Sequence, residues 1–91
     1  MRLSKIQKDI LFVLFALEQN GKQEPVTGMN ILSIINSVSA VELYDTNFRT
    51  SCHTLNSNKL LNKYRTSSLK LAWTLTEAGR EFACNIFNER S

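Results

Sequence analysis

Residues 60–81 read LLNKYRTSSLKLAWTLTEAGRE, and this stretch decides the fold. Its second half alternates apolar residues with smaller or polar ones, which is the pattern of a half-buried antiparallel strand. The alternating apolar residues are Leu69, Leu71, Trp73 and Leu75. The partner strand is expected at Leu61 to Arg65, with a turn at Thr66-Ser67-Ser68. Thr76 is then placed to cap a last helix, so the stretch predicts a hairpin followed by a helix.

The first helix is predicted from a start signal, an apolar face and a stop signal. Ser4 and Gln7 have the spacing of a capping box, in which each side chain satisfies a free backbone N–H. Asn20-Gly21 supplies a left-handed stop. The apolar face between them consists of Ile6, Ile10, Val13, Leu14 and Leu17.

Two further helices precede the hairpin. A very short extended piece is expected at Pro25-Val26, and Thr27 is placed to cap the second helix. Asp45 is placed to cap the third helix. The predicted apolar stripe of the second helix is Ile31, Ile34, Ile35 and Val38, and that of the third is Phe48, Cys52 and Leu55. The opposite face of the third helix is polar and contains no acid.

The element order α-β-α-α-β-β-α predicts a mainly α protein with a small β-hairpin, a winged helix-turn-helix. With 91 residues the chain is expected to form one domain, 1–91. The helices are predicted at about 4–20, 27–38, 45–57 and 76–89, and the wing hairpin at about 60–75.

The residues that end this pattern carry a family resemblance. Leu55, Leu60-Leu61 and the stretch WTLTEAGRE at 73–81 resemble the end of bacterial winged-helix regulators of the MarR and PadR groups. The shared motif is L-T-x-x-G, in which Thr caps the helix after the wing. The chain differs at the longer 39–44 connection and at Lys59, where such proteins often have Gly. The resemblance implies a DNA-binding domain.

The charge is unevenly distributed along the chain. The formal net charge is +3, but the window 46–76 contains five cations and no acid, so the remaining residues sum to −2. DNA presents about one negative charge per 1.7 Å of duplex axis, so an acid-free basic surface suits it. The positive charge falls on the third helix and the wing.

Double-stranded DNA is therefore the predicted partner. Arg49 and His53 are expected to reach base edges from the major groove, with Asn47, Thr50 and Thr54 as adaptable hydrogen-bonding groups. Thr46 is placed to bind a phosphate near the helix start. Lys63, Arg65 and Lys70 are expected to hold phosphates or enter the minor groove, and Lys59 completes the basic set. For His53, an idle surface position is an equal alternative, whereas Trp73 and Cys52 are assigned to the core.

The first helix is apolar on more than one side, which requires a second cover. Either the last helix folds back onto it, or two chains exchange these surfaces. We expect a symmetric homodimer. The predicted interface consists of Leu11, Phe12, Phe15, Phe82, Ile86 and Phe87.

The sequence lacks the patterns of other classes. Cys52, His53 and Cys84 have no metal-ligand spacing, and no residue set suggests an enzyme, so no catalytic residue, metal or cofactor is predicted. No apolar run approaches the roughly 20 residues of a membrane span, so a cytoplasmic protein without membrane contact is expected.

A small sequence-specific transcriptional regulator is the function that these features favour. Its short length would suit a plasmid, phage or other mobile element. Two alternatives stay open: a winged-helix module that binds a protein partner, and a replication or partition accessory factor.

Overall fold

The computed structural model describes residues 2–90, which form four helices and a three-stranded sheet. The elements are α1 (Lys5–Gln19), β1 (Val26–Thr27), α2 (Gly28–Val38), α3 (Asp45–Ser57), β2 (Leu61–Arg65), β3 (Leu71–Leu75) and α4 (Glu77–Arg90). This order and its antiparallel sheet are those of a winged helix, so the predicted fold class is confirmed. The hairpin of β2 and β3 is called the wing below.

The sheet order is β1-β3-β2, which makes β3 the central strand. Trp73 pairs with Val26 on one side and with Lys63 on the other. Ala72, which alternates with the apolar residues of this strand, is also buried, with Thr27 and Tyr64 as its register partners. The short extended piece lies one residue later than predicted, at Val26–Thr27.

The predicted signals at the ends of α1 form as expected. The Ser4 hydroxyl accepts a hydrogen bond from the Gln7 backbone N–H, and the Gln7 side chain accepts one from the Ser4 N–H. These two bonds satisfy donors that a helix start otherwise leaves free. Gly21 follows the helix with a φ of +93°, the left-handed conformation that glycine adopts without steric cost.

The core lies between the helices and the inner face of the sheet. Trp73 is 1% exposed and is the largest of its fully buried side chains, as the sequence predicted. Cys52 is fully buried on the inner side of α3. Together with Phe48 and Leu55, it fixes which face of α3 points outward.

Helices α1 and α4 pack against each other, and we call this pair the α1–α4 layer. The rings of Phe12 and Phe87 stack with centroids 5.5 Å apart, and Phe15 contacts Phe87 at 5.3 Å. Of the six residues assigned to a dimer interface, Leu11, Phe15 and Ile86 are buried within the single chain, and Phe12, Phe82 and Phe87 are half-buried. The apolar excess of α1 is thus covered largely by α4, so it does not by itself require a second chain.

The junction between the wing and α4 depends on a close backbone approach. The Thr76 hydroxyl accepts from the Gly79 N–H at 2.9 Å, as the predicted cap requires, and donates to the Lys59 carbonyl at 2.7 Å. A Cβ built on Gly79 would overlap the Leu60 carbonyl oxygen. The L-T-x-x-G motif therefore encodes a cap and a position where a side chain does not fit.

Three local predictions were wrong. Leu69 is not in the strand: it lies in the wing turn with a φ of +62° and is 72% exposed. Val38 is 83% exposed, because it is the last residue of α2 and the chain turns away there. The cap position of α3 is Tyr44, without a side-chain cap, and Asp45 is the first helical residue.

Candidate nucleic-acid interface

The outer face of α3 carries the residues that the sequence assigned to base contacts. All six are exposed: Thr46, Asn47, Arg49, Thr50, His53 and Thr54. They point outward because Phe48, Cys52 and Leu55 anchor the opposite face in the core. The outer face of α3 is therefore polar and open to solvent.

Two threonine hydroxyls on this face already donate hydrogen bonds inside the helix. Thr50 donates to the Thr46 carbonyl and Thr54 to the Thr50 carbonyl, each at 3.0 Å. Their oxygens remain available as acceptors, and the methyl groups are available for apolar contact with thymine. As placed here, the two hydroxyls can therefore accept hydrogen bonds from DNA but do not donate to it, so they are less adaptable than the sequence predicted.

Arg49 has an acidic partner, Asp45, which lies one residue before the acid-free window 46–76. Its guanidinium lies 2.8 Å from the Asp45 carboxylate, one helical turn earlier, and both side chains are more than half exposed. The i,i+4 spacing of an acid and a base could have revealed this pair from the sequence. Asp45 orients Arg49 and reduces the positive charge at the start of α3.

The wing presents its cations on the side that faces α3. Lys63 and Arg65 are two residues apart on the edge strand β2, so they share the sheet face of Trp73. Within residues 2–90, none of the three lysines Lys59, Lys63 and Lys70 forms an ion pair. Lys59 stands just after α3 in a left-handed conformation with a φ of +64°, a conformation that glycine adopts without steric cost and that other L residues rarely adopt.

A depression of about 330 Å³, which we call the cleft, separates α3 from the wing. Arg49 lines it from the helix, and Arg65 and Lys70 line it from the wing. Of the ten predicted DNA-contacting residues, the structure brings these three together around one concavity. The other seven are exposed but lie outside its lining.

Two residues of the cleft were not expected at an interface. Met29 and Leu69 line it and are 68% and 72% exposed. No sequence signal identified Met29, and the alternating pattern assigned Leu69 to the buried face of a strand. The cleft is therefore basic with an exposed apolar component.

His53 and Cys52, on α3 near the cleft, both contact or lie in the packed part of the protein. The His53 ring meets the Trp73 ring edge-on with centroids 5.5 Å apart, so the imidazole packs beside the wing while staying exposed. Burial raises the pKa of the Cys52 thiol to about 12, which keeps it protonated and unreactive at neutral pH. Across residues 2–90, no three His, Cys, Asp or Glu side chains cluster as metal ligands.

None of the helices in the described part of the chain is both long and apolar enough to cross a membrane.

No protein-family model matches the sequence, and no curated protein matches it either. Solved structures do resemble it. MepR, a transcription regulator of the Staphylococcus aureus multidrug efflux pump MepA, has a TM-score of 0.72 at 19% identity, over 97% of this chain and 60% of MepR. RosR of H. salinarum has a TM-score of 0.79 at 19% identity, over 97% of this chain and 74% of RosR.

A candidate DNA-binding protein from Ralstonia eutropha has a TM-score of 0.73 at 16% identity, over 94% of this chain and 99% of that one. At these identities the likeness establishes a shared winged-helix fold. The chain spans less than two thirds of MepR.

Proposed function

We propose that this protein binds double-stranded DNA in a sequence-specific manner and acts as a small transcriptional regulator. Helix α3 enters the major groove, and the wing contacts the phosphate backbone beside it. The observation that carries the proposal is the set of exposed cations on α3 and the wing, of which Lys59, Lys63 and Lys70 form no ion pair within residues 2–90. The transcription regulator MepR, which has the same fold, supports it.

The roles of the side chains follow from their positions. Arg49, held by Asp45, can make a bidentate contact with guanine from the major groove. Lys63 and Lys70 neutralise phosphates from the wing, and the exposed Lys59 does so beyond the end of α3. Base discrimination is thus assigned to α3 and most of the salt-dependent affinity to the lysines.

Fluorescence anisotropy with a labelled random duplex at two salt concentrations tests this proposal. We expect the wild type to bind tightly at low salt, and Lys63→Ala with Lys70→Ala to lower the slope of log K against log salt by about 0.9 for each phosphate that is no longer neutralised. Lys8→Ala is the matched control, because Lys8 is an exposed lysine on α1. Absence of binding at low salt, or equal losses in the double variant and the control, would refute the proposal.

Sequence specificity requires its own measurement. Selection of tight-binding duplexes from a random pool should yield a shared motif for the wild type. Arg49→Ala should blur that motif at one base pair, with a loss of about 1–3 kcal/mol of discrimination. A pool that yields no motif would leave a non-specific binder and contradict the regulator assignment.

We also propose that the protein works as a symmetric dimer. Two copies would match the repeated half-sites that winged-helix regulators commonly recognise. The half-buried Phe82 remains partly available on α4 for such an interface, although the buried Leu11, Phe15 and Ile86 do not. Analytical ultracentrifugation that finds a monomer at micromolar concentration, with and without duplex DNA, would overturn the dimer.

One observation favours a protein-binding module as the second candidate. Val38, the last residue of α2, and Val41, in the connection that follows, are 83% and 77% exposed. Asn36 holds this connection through two hydrogen bonds with the backbone of Leu43, so the exposed valines are displayed in a fixed position. If no duplex binds, affinity capture with wild type and with Val41→Asn is the experiment that distinguishes this candidate.

A further inference from the structure

The wing turn, residues 66–70, is held by a dense set of hydrogen bonds. The Thr66 N–H donates to the Lys70 carbonyl and the Leu69 N–H to the Thr66 carbonyl, both at 2.9 Å. The Lys70 N–H donates to the Thr66 hydroxyl at 3.1 Å, and the Arg65 guanidinium donates to the Leu69 carbonyl at 3.0 Å. The turn therefore has a defined shape.

This turn displays a leucine in an unfavourable conformation. Leu69 has a φ of +62°, a region that Gly and Asn adopt readily and that other L residues rarely adopt. Its side chain is 72% exposed, so packing in the core does not account for it. A residue chosen for turn stability would be Gly or Asn. Neither turn geometry nor core packing therefore explains why a leucine stands at this position.

The surroundings of Leu69 indicate what it contacts. Arg65 and Lys70 flank it, and all three line the cleft beside α3 together with Arg49. The acid of that cleft, Asp45, is already paired with Arg49. An apolar group between cations suits a surface whose rims are phosphates and whose interior offers sugar and base-step edges. The minor groove of duplex DNA has that arrangement, and proteins that read it often insert an apolar side chain.

We propose that Leu69 is an apolar contact to the minor groove that flanks the α3 site, and that Arg65 positions it. This inference rests on the proposed DNA binding. With α3 in the major groove, the wing tip reaches the adjacent minor groove, where Lys70 contacts a rim phosphate. Arg65 uses one N–H on the Leu69 carbonyl, so its main role is to hold the turn, and its remaining donors face phosphate.

Two variants test the contact without removing a charge. Leu69→Asn keeps a residue that tolerates the left-handed backbone, and Leu69→Gly removes the side chain while relaxing the turn. Val41→Asn is the matched control, because Val41 is an equally exposed apolar residue of the α2–α3 connection. Anisotropy gives the affinity for duplex DNA, and energy transfer between dyes at the two duplex ends gives its bend.

We expect both Leu69 variants to bind duplex DNA about five- to tenfold more weakly than the wild type, because part of the apolar area that leucine buries against DNA is removed. The salt slope should stay unchanged, in contrast to Lys70→Ala, and the bend should decrease. Leu69→Gly should melt no lower than the wild type, so its weaker binding cannot come from unfolding. Val41→Asn should bind as the wild type does.

The outcomes separate this inference from the proposed function. If the wild type binds and both Leu69 variants bind and bend DNA equally well, the wing-tip contact is wrong and DNA binding stands. Equal losses of affinity in Leu69→Asn and Val41→Asn also overturn it, because they indicate a general effect of exposed apolar residues. If the wild type binds no duplex, the proposed function and this inference fail together.

Discussion

The two sides of the molecule treat their charged side chains differently. In the α1–α4 layer, Arg80 of α4 forms a two-pronged ion pair with Glu18 of α1, at 2.8 and 3.1 Å. At the other end of the same helices, Arg90 lies 2.9 Å from Asp9 and 4.8 Å from the centre of the Phe12 ring. Hydrogen bonding to Glu18 raises the pKa of Arg80. These cations join two helices that are far apart in sequence.

The side formed by α3 and the wing has the opposite arrangement. Its ion pair, Arg49 with Asp45, lies within one helix and joins no two elements. Within residues 2–90, the lysines at 59, 63 and 70 form no ion pair. The difference teaches that ion pairs of the α1–α4 layer connect two helices, whereas the lysines on the other side have no such structural partner within residues 2–90, as the proposed DNA binding requires.

Breaking the joint between the two sides should have the largest effect. Gly79→Ala places a Cβ against the Leu60 carbonyl, where the wing meets α4. Because backbone must move to accommodate it, we expect a loss of about 3 kcal/mol in the free energy of unfolding, measured by urea denaturation. Ala78→Ser, at the exposed position just before it, should change that energy by less than about 0.5 kcal/mol. Equal stability of Gly79→Ala and wild type would show that the junction is not tight.

Removing one acid from each side should separate stability from binding. Glu18→Gln breaks a partly buried pair between helices and should lower the free energy of unfolding by about 1 kcal/mol, with no effect on duplex binding. Asp45→Asn should change stability by less than about 0.5 kcal/mol, since its pair with Arg49 is exposed. It should also raise affinity for random duplex about fivefold at low salt, as one repelling charge near phosphate is removed.

Each of these two acid variants serves as the other's control. Urea denaturation and anisotropy on both proteins complete the measurement. If Asp45→Asn weakens binding to random duplex, Asp45 does not oppose phosphate and the distinction between the two sides disappears at that position.

Relaxing the backbone at Lys59 should have small effects of opposite sign, a gain in stability and a loss of salt-dependent binding. Lys59→Gly removes the strain of a φ of +64° and should raise the free energy of unfolding by about 0.5 kcal/mol, after the entropy of glycine is counted. It should also lower the salt slope of duplex binding by up to about 0.9. Lys59→Asn tolerates the same backbone and removes the same charge, so the two variants should bind alike. Different binding would mean that backbone shape at this position matters for DNA.

The elements were predicted well where the period of the apolar residues was the only signal needed. The bounds of β2 agree with the sequence prediction, because a change of period defined them, and the buried stripe of α3 is the predicted one. The rules failed at element ends. Leu69 continued the alternation but lies in the turn rather than in the strand, and Val38 continued the stripe at the last residue of its helix, where it is exposed.

The candidate site was predicted in part. Exposure of its basic and polar residues followed from the helix period, since Phe48, Cys52 and Leu55 had to face inward. The cleft could not be predicted, because it joins Arg49 to Arg65 and Lys70 across elements that only packing brings together. The apolar Met29 and Leu69 entered the site for the same reason.

By itself, the sequence determined the element order, the caps at Ser4 and Thr76, and the acid-free stretch 46–76 that carries the exposed cations, because these depend on local spacing and charge. Tertiary structure alone decided that α4 covers the apolar excess of α1, that Gly79 must lack a side chain, and that an exposed leucine stands beside the basic cleft. Each of these depends on contacts between residues distant in sequence, whose geometry no local period encodes.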